Sequence, residues 1–444
     1  MRPAANAAAA PVSLVGRPHP ATPLVRAGRI IVSVLGLAAV NFRDSKEFGR
    51  WLPVVLLGIA VVFSVAAYVS WLYTSYRIAD GDVRVDTGVF VKRSRRVRID
   101  RLQAIDVVQP LFARMLGLAE LKLDMAGGHE GRVALAYLKL DEAQALRASL
   151  LAMAAGLDHR TPEAPERPLL SCSGATIVGG ALLATPAIIG FVWVGFFVAI
   201  AVVTRSPGLI AGALPGIIST FGMVWKTIQD HAGFTVADSP DGLRLRHGLL
   251  ETRSQTVPPG RVQAVHIVAP ALWRMLGWVR VDANIAGYAG RRADEGSHHN
   301  SVLLPVGSRN QALVVLSRAL PGVDIDAVEM HSVPARAKWR SPLRWWALQA
   351  GSDAAVFAVR SGVFTKTLAI MRHEKIQSVR LAVGPWQRLL GLATVELHST
   401  HGPVKVVAAD RDIAEARRIL DVEAALAREG RAASGHERWM TPNR

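Results

Sequence analysis

Two stretches concentrate the side chains with which this chain could do chemistry. Lys92 to Arg98 reads KRSRRVR, with Lys92, Arg93, Arg95, Arg96 and Arg98 all basic. Pro334 to Trp346 reads PARAKWRSPLRWW and sets Arg336, Lys338, Arg340 and Arg344 among Trp339, Trp345 and Trp346. No acidic residue occurs between Glu329 and Asp353. Guanidinium and ammonium groups attract phosphate, and an indole ring beside them suits headgroup depth, so the chemistry is binding of anionic lipid headgroups. At an anionic surface each basic residue contributes about 1 kcal/mol. Both stretches also have a plainer reading. KRSRRVR can be a solvated face set by the bias of basic residues towards the cytoplasm, and the tryptophans can pack on the domain that follows.

Covalent chemistry lacks its constellations. HExxH, GxSxG, GxGxxG and GxxxxGK[ST] do not occur, and His298–His299 stand in polar loop sequence without metal-ligand spacing. Ser171, Cys172 and Ser173 have no histidine nearby to activate them. Cys172 is the one cysteine, which excludes an intrachain disulfide and zinc sites of the Cys₄ or Cys₂His₂ kind. The expectation is a chain with no enzymatic activity, cofactor or metal. Lysine and arginine number 52 against 35 acidic residues, a net charge of +17 that suits nucleic acid or an anionic membrane face. Much of this charge is juxtamembrane, so the membrane is expected and nucleic acid is not.

The elements that must position these residues begin with apolar runs. Half the residues are hydrophobic and mean hydropathy is +0.25, yet 20% are charged, a mixture expected of membrane spans alternating with globular parts. Residues 51–76 are uncharged between Arg50 and Arg77, with Tyr68, Trp71, Tyr73 and Tyr76 gathered at one end, as in a tilted span with an aromatic belt. The shorter run Ile30 to Phe42 spans only if it begins near Leu24 with Arg26 and Arg29 snorkelling. Residues 168–204 and 206–225 are also uncharged and read as a helical hairpin turning at Arg205–Ser206–Pro207. Gly208, Gly212 and Gly216 recur every four residues in its second arm, a spacing that lets the arms approach closely. Arg77, Arg84, Lys92, Arg160, Arg167 and Lys226 flank the helix ends on the side that the positive-inside rule assigns to the cytoplasm.

A third pattern organises the rest. RLQAIDVVQPLFARMLGLAELKL, from Arg101, returns as RVQAVHIVAPALWRMLGWVRV and as KIQSVRLAVGPWQRLLGLATVEL. Gly88, Gln103, Arg114 and Gly117 keep the same intervals as Gly248, Gln263, Arg274 and Gly277, and as Gly362, Gln377, Arg388 and Gly391. The glutamines lie 160 and then 114 residues apart, too uneven for a solenoid, so the chain carries three homologous domains. A feature shared by all three is a requirement of the fold. Glutamine can satisfy buried backbone groups, arginine can cap a helix end or pair with a carboxylate, and glycine allows a positive φ. Each repeat reads as several short alternating strands closed by one C-terminal helix, with Asp141 as the N-cap in the first.

This triple signature, interleaved with hydrophobic hairpins, resembles the bacterial pleckstrin-homology-type membrane proteins of the YdbT kind, from about Leu24 to Glu429. The resemblance implies PH-like β-barrels, a bacterial cytoplasmic-membrane location, no established enzymatic activity and association with a smaller membrane relative carrying one such domain. The fold class expected is therefore α-helical membrane spans plus three α+β PH-like β-barrel domains, each closed by a C-terminal helix. The expected layout is a flexible tail to residue 23, hairpin one over 24–75, PH-like domain one over 76–168 and hairpin two over 169–226. Domain two follows over 227–330, domain three with its basic and tryptophan-rich linker over 331–430, and a tail over 431–444. The functional expectation is a membrane scaffold whose cytoplasmic PH-like domains bind a partner membrane protein and anionic lipid. An accessory subunit of an envelope transport or stress-resistance system is the competing reading.

Overall fold

The computed structural model describes residues 14–25, 28, 48–79, 82–88, 93–98, 102–125, 132–154, 166–240, 242–258, 260–286 and 301–433. The run Ile30 to Phe42, Lys92 and His298–His299 lie outside the described residues. The chain divides into two units, Met1–Glu163 and Ala164–Arg444.

In the first unit, β1 (Leu14–Gly16), α1 (Phe48–Leu72), β2 (Ser75–Ala79), β3 (Asp82–Thr87) and β4 (Arg93–Arg98) come first. The strands form an antiparallel sheet in the order β1-β2-β3-β4. Apolar and polar residues alternate along β3, which buries Val83 and Val85 and turns Arg84 to solvent. Then follow β5 (Leu102–Pro110), α2 (Leu111–Met115), β6 (Leu118–Met125), β7 (Arg132–Lys139) and α3 (Leu140–Ala154). α3 begins one residue before Asp141, so this carboxylate lies in the first turn, where it suits the helix dipole, and is not the N-cap.

The second unit opens with β8 (Arg167–Ser171), α4 (Gly174–Leu182), α5 (Thr185–Val203), a 3₁₀ turn (Pro207–Ala213) and α6 (Leu214–His231). The apolar run expected to be one helical arm from Pro168 is thus shorter. Its first residues form β8, which pairs with β9 (Thr235–Ser239) through Leu170 and Val236. Ser173 then caps α4 by accepting the Thr176 N–H at 3.1 Å. Among the described residues, Thr185–Val203 and Gly208–His231 are long and apolar enough to cross a membrane, and α1 contributes the shorter apolar stretch Val61–Leu72.

Of the three hairpin glycines, Gly212 and Gly216 pack inward. A β-carbon on Gly216 would lie 2.5 Å from Cδ1 of Trp193, and one on Gly212 would collide with the Phe197 ring, whereas Gly208 faces open space. Trp193 also donates its indole N–H to the Gly212 carbonyl at 3.1 Å. Gly216→Ala is therefore expected to destabilise the hairpin by about 1–3 kcal/mol through overpacking. Gly208→Ala should leave it unchanged. Melting of the two variants in mild detergent checks this; equal behaviour would remove the packing argument.

The second repeat continues with β10 (Gly242–His247), β11 (Glu251–Val257), β12 (Val262–Pro270), α7 (Ala271–Met275), β13 (Trp278–Ile285), β14 (Val302–Ser308) and α8 (Arg309–Ala319). Ser308 and Gln311 form a capping box that fixes the start of α8. The third repeat comprises β15 (His331–Ser332), β16 (Gln349–Ser352), β17 (Val356–Ser361), β18 (Thr365–Arg372), β19 (Ser378–Ala382), α9 (Pro385–Leu389), β20 (Leu392–His398), β21 (Val406–Asp412) and α10 (Ile413–Ala433).

The expected closed barrels do not form. β12 pairs antiparallel with β18 of the next repeat, from Ala264 opposite Met371 to Pro270 opposite Thr365. The result is one seven-stranded sheet, β14-β13-β12-β18-β17-β16-β15, shared by repeats two and three. The physical reason is that β12 offers one outer edge, and the neighbouring repeat occupies it. The apolar contacts follow, because Val265, Val281 and Leu304 of repeat two share a buried cluster with Val356, Ala358 and Ile370 of repeat three. Asn284, 2% exposed, locks the junction by donating to the Val404 carbonyl and accepting the Val404 N–H, each at 2.8 Å.

Candidate membrane and partner interface

The repeated motif is first of all a backbone device. Gly88, Gly248 and Gly362 have φ of 121°, 114° and 89°, while Gly117, Gly277 and Gly391 have 66°, 69° and 63°. An L side chain is strained at these angles, which explains glycine at all six positions. The helices between the glycines, α2, α7 and α9, keep the same length, although Pro110 and Pro270 are N-caps and the third repeat instead puts Gly384 at the cap and Pro385 inside.

The motif's polar residues do not share one role. Gln263, 9% exposed, donates to the Arg261 carbonyl at 3.3 Å, a local loop bond, while Gln377 is exposed. Gln103 precedes the body of β5, and its side chain lies outside the described residues. Among the described residues Arg274 has no carboxylate partner. It donates to the Val363 carbonyl in the glycine turn of the third repeat at 3.4 Å, so it joins one repeat to the next. Arg388 is exposed and has no side-chain partner among the described residues.

KRSRRVR does not build a single basic face. Arg93, Arg95, Arg96 and Arg98 lie on β4, where successive side chains alternate between faces. Arg95 stands opposite Val85, whereas Arg96 and Arg98 stand opposite Arg84 and Asp82. Arg96 pairs with Asp82, and Arg84 lies near Asp86 at 3.6 Å, which offsets part of the charge.

The tryptophan-rich linker divides into an anchored side and an open one. Asp410, fully buried, accepts from Ser341 Oγ at 2.8 Å and Gln387 Nε2 at 2.8 Å and pairs with Arg340 at 3.0 Å. Arg336 reaches Asp412 and donates to the Gly391 carbonyl at 3.2 Å. Trp345 packs with Val333, Ala337, Leu348 and Leu392. Arg340 and Trp345 therefore hold the linker down and are not free for lipid. Trp339, Leu343 and Trp346 project outward at 75%, 79% and 52% exposure, beside Trp386 and Leu389 of α9 at 72% and 80%. Lys338 lies 5.6 Å over the Trp339 ring, and Arg344 on the linker and Arg388 on α9 are exposed. The sequence reading missed Leu343, Trp386 and Leu389, because tertiary contacts such as the Asp410 bonds bring linker and α9 together.

A second contact lies at the mouth of the hairpin. Thr185, which opens α5, lies 3.5 Å from Thr365 at the start of β18, oxygen to oxygen. Phe364, immediately before, is 79% exposed. Cys172, between β8 and α4, sets its thiol against the Val306 carbonyl, and burial pushes its pKa up to about 11, so it is a poor nucleophile. Among the described residues no group of histidine, cysteine and acidic side chains could hold a metal ion.

Three sheet-and-helix repeats, each with the same glycine turns, and apolar helices between the first and second define a membrane-associated PH-like protein. The chain belongs to the family described as Bacterial PH domain, which matches residues 30–154, 187–320 and 311–427. It is similar to the UPF0699 transmembrane protein YdbT of Bacillus subtilis (strain 168), with 23% identity over 300 residues, 60% of this chain and 60% of that protein. No solved structure matches. The apolar helices and the transmembrane description of this relative are consistent with a membrane location.

Proposed function

We propose that this chain is a non-enzymatic integral membrane interaction protein whose PH-like repeats lie on the cytoplasmic face and whose third repeat enters the headgroup layer. The observation that carries this is the exposure of Trp339, Leu343 and Trp346 on the linker and of Trp386 and Leu389 on α9, each more than half exposed on two segments that Asp410 ties together, with Lys338, Arg344 and Arg388 exposed on the same segments. Large apolar side chains ringed by cations are costly in water and favourable at an anionic bilayer surface, where indole and leucine enter the interface and the cations meet phosphate. The Thr185–Thr365 contact supports the same reading, since it holds repeat three beside the start of a membrane-length helix.

A nitroxide label at position 346, introduced by Trp346→Cys on a Cys172→Ser background, tests it in the full chain reconstituted in phosphatidylglycerol vesicles. The label is expected to collide more with oxygen, which partitions into lipid, than with a water-soluble nickel chelate. A label that senses water alone, as in detergent-free aqueous loops, removes the proposal.

A further inference from the structure

Within this chain the motif arginine and the first strand of a repeat's second sheet act together as a socket. In repeat two the socket is β12 with Arg274, and repeat three fills it, placing β18 along the strand and the Val363 carbonyl on the arginine. The matching positions recur 114 residues later as β19, a shorter strand of five residues against nine in β12, followed by α9 with Arg388. There the socket is open. β19 pairs with β20 alone among the described residues, and Arg388 has no side-chain partner among them. Exposure follows occupancy: Gln263 is 9% exposed beside the filled strand, whereas its counterpart Gln377 is exposed. An unpaired strand edge is a template for another chain.

We propose that the outer edge of β19, with Arg388, is the docking site for a PH-type repeat of a second, different polypeptide, whose fourth strand adds to β19 as β18 adds to β12. This deepens the interaction role above and rests on it. Charge selects the occupant. In the β12–β18 register Ala369 stands opposite His266. Transferred to β19 with a second copy of this chain supplying β4, the equivalent residues are Arg95 and Arg380, two like charges directly opposed, which is unfavourable. Arg380 already borders Glu396 at 3.7 Å, so the edge tolerates an uncharged or acidic residue there and resists the chain's own β4. The partner strand therefore carries no cation at that position and is preceded by a glycine turn that offers a carbonyl to Arg388.

Two peptides test this on the full chain in detergent without anionic lipid. One copies residues 361–372, SGVFTKTLAIMR, and the other residues 87–98, TGVFVKRSRRVR. Each carries a photoreactive group, at the position of Thr367 in the first and at that of Arg93 in the second. The first peptide is expected to label Leu381 or Ala382, and Arg388→Ala to weaken it about tenfold, the loss of one charge-assisted hydrogen bond. The second is expected to bind at least about tenfold more weakly, and Arg380→Glu to restore it. Labelling at Val268 through exchange with β18, equal binding of both peptides, no binding, or no effect of Arg388→Ala overturns the proposal. So does a dimer of the unmodified chain by light scattering that Arg380→Glu fails to strengthen. Unchanged elution of both variants in detergent confirms that they fold. Because no lipid is present, failure here leaves the vesicle test of the tryptophan surface standing.

Discussion

Asp410→Ala is expected to free the tryptophan-rich linker from the third repeat. The carboxylate is fully buried and is the shared acceptor for Ser341, Gln387 and Arg340. Ser341 and Gln387 are themselves 5% and 3% exposed, so removing the acceptor strands two buried donors and one cation without an equivalent partner. Leaving a buried donor without its acceptor costs about 1–3 kcal/mol, and two are left here, a large share of what a single domain has to spare, while Arg340, with its side chain 34% exposed, can turn to water. Backbone geometry adds to this, because Asp410 has φ of 55°, a left-handed conformation that aspartate and asparagine tolerate better than alanine. Asp410→Asn keeps the backbone and the size but loses the charge, so a smaller loss of about 1–2 kcal/mol is expected. A global melting point is a poor readout in a chain of several repeats. Hydrogen exchange of the 335–348 backbone is the direct one: strong loss of protection in the alanine variant, partial loss in the asparagine variant. Protection unchanged in both would show that the linker is held by its apolar contacts alone. The membrane reading makes a linked expectation, since a released linker no longer holds Trp339 and Trp346 beside α9.

The second large effect is expected where α10 closes the third repeat. His373 Nδ1 lies 2.7 Å from Glu423, its other ring nitrogen lies 3.1 Å from the Asp353 carbonyl, and Ser352 donates to Glu423 at 2.8 Å. His373 and Glu423 are 4% and 1% exposed. Burial pulls the imidazole pKa down, but the hydrogen bond and charge of Glu423, with the carbonyl and charge of Asp353, outweigh it and hold the value above the ordinary 6.5. A histidine whose folded value is raised adds stability that is fully present below the unfolded value. That stability disappears as pH climbs through the folded one. Protection of α10 against hydrogen exchange, corrected for the intrinsic rate, is therefore expected to fall from pH 6 towards alkaline pH. In Glu423→Gln the pH dependence should vanish, and Glu423→Ala should cost about 3 kcal/mol at pH 6. A Glu423→Gln chain with an undiminished pH profile would assign the dependence to another group.

These two networks show where sequence reading stops. Glu423 had one signal, a carboxylate at helical spacing with Ala416 and Ala427 on the buried stripe of α10. Asp410 had none, because its partners lie 23 residues before it in α9 and 69–70 residues before it in the linker. The basic stretches were visible as composition, whereas their arrangement depends on strand pairing and packing. Five cations in KRSRRVR suggest one electrostatic face, but among the described side chains Arg95 stands opposite Val85 while Arg96 and Arg98 stand opposite Arg84 and Asp82, and Asp82 pairs with Arg96. In the linker, Trp345 and Trp346 are neighbours in sequence, yet one packs inward and the other points out.

What the sequence by itself determined is local and repeated. Glycines at fixed intervals mark the positive-φ turns of all three repeats, alternating residues mark strands, and long uncharged runs mark the apolar helices, because backbone strain and burial act within a few residues. Only the tertiary structure decided that β12 takes its outer partner from the next repeat, that Arg274 serves that junction, and that β19 and Arg388 stand open. Strand edges look alike along the chain, and which one is filled depends on contacts between residues roughly 100 positions apart, which no short pattern records.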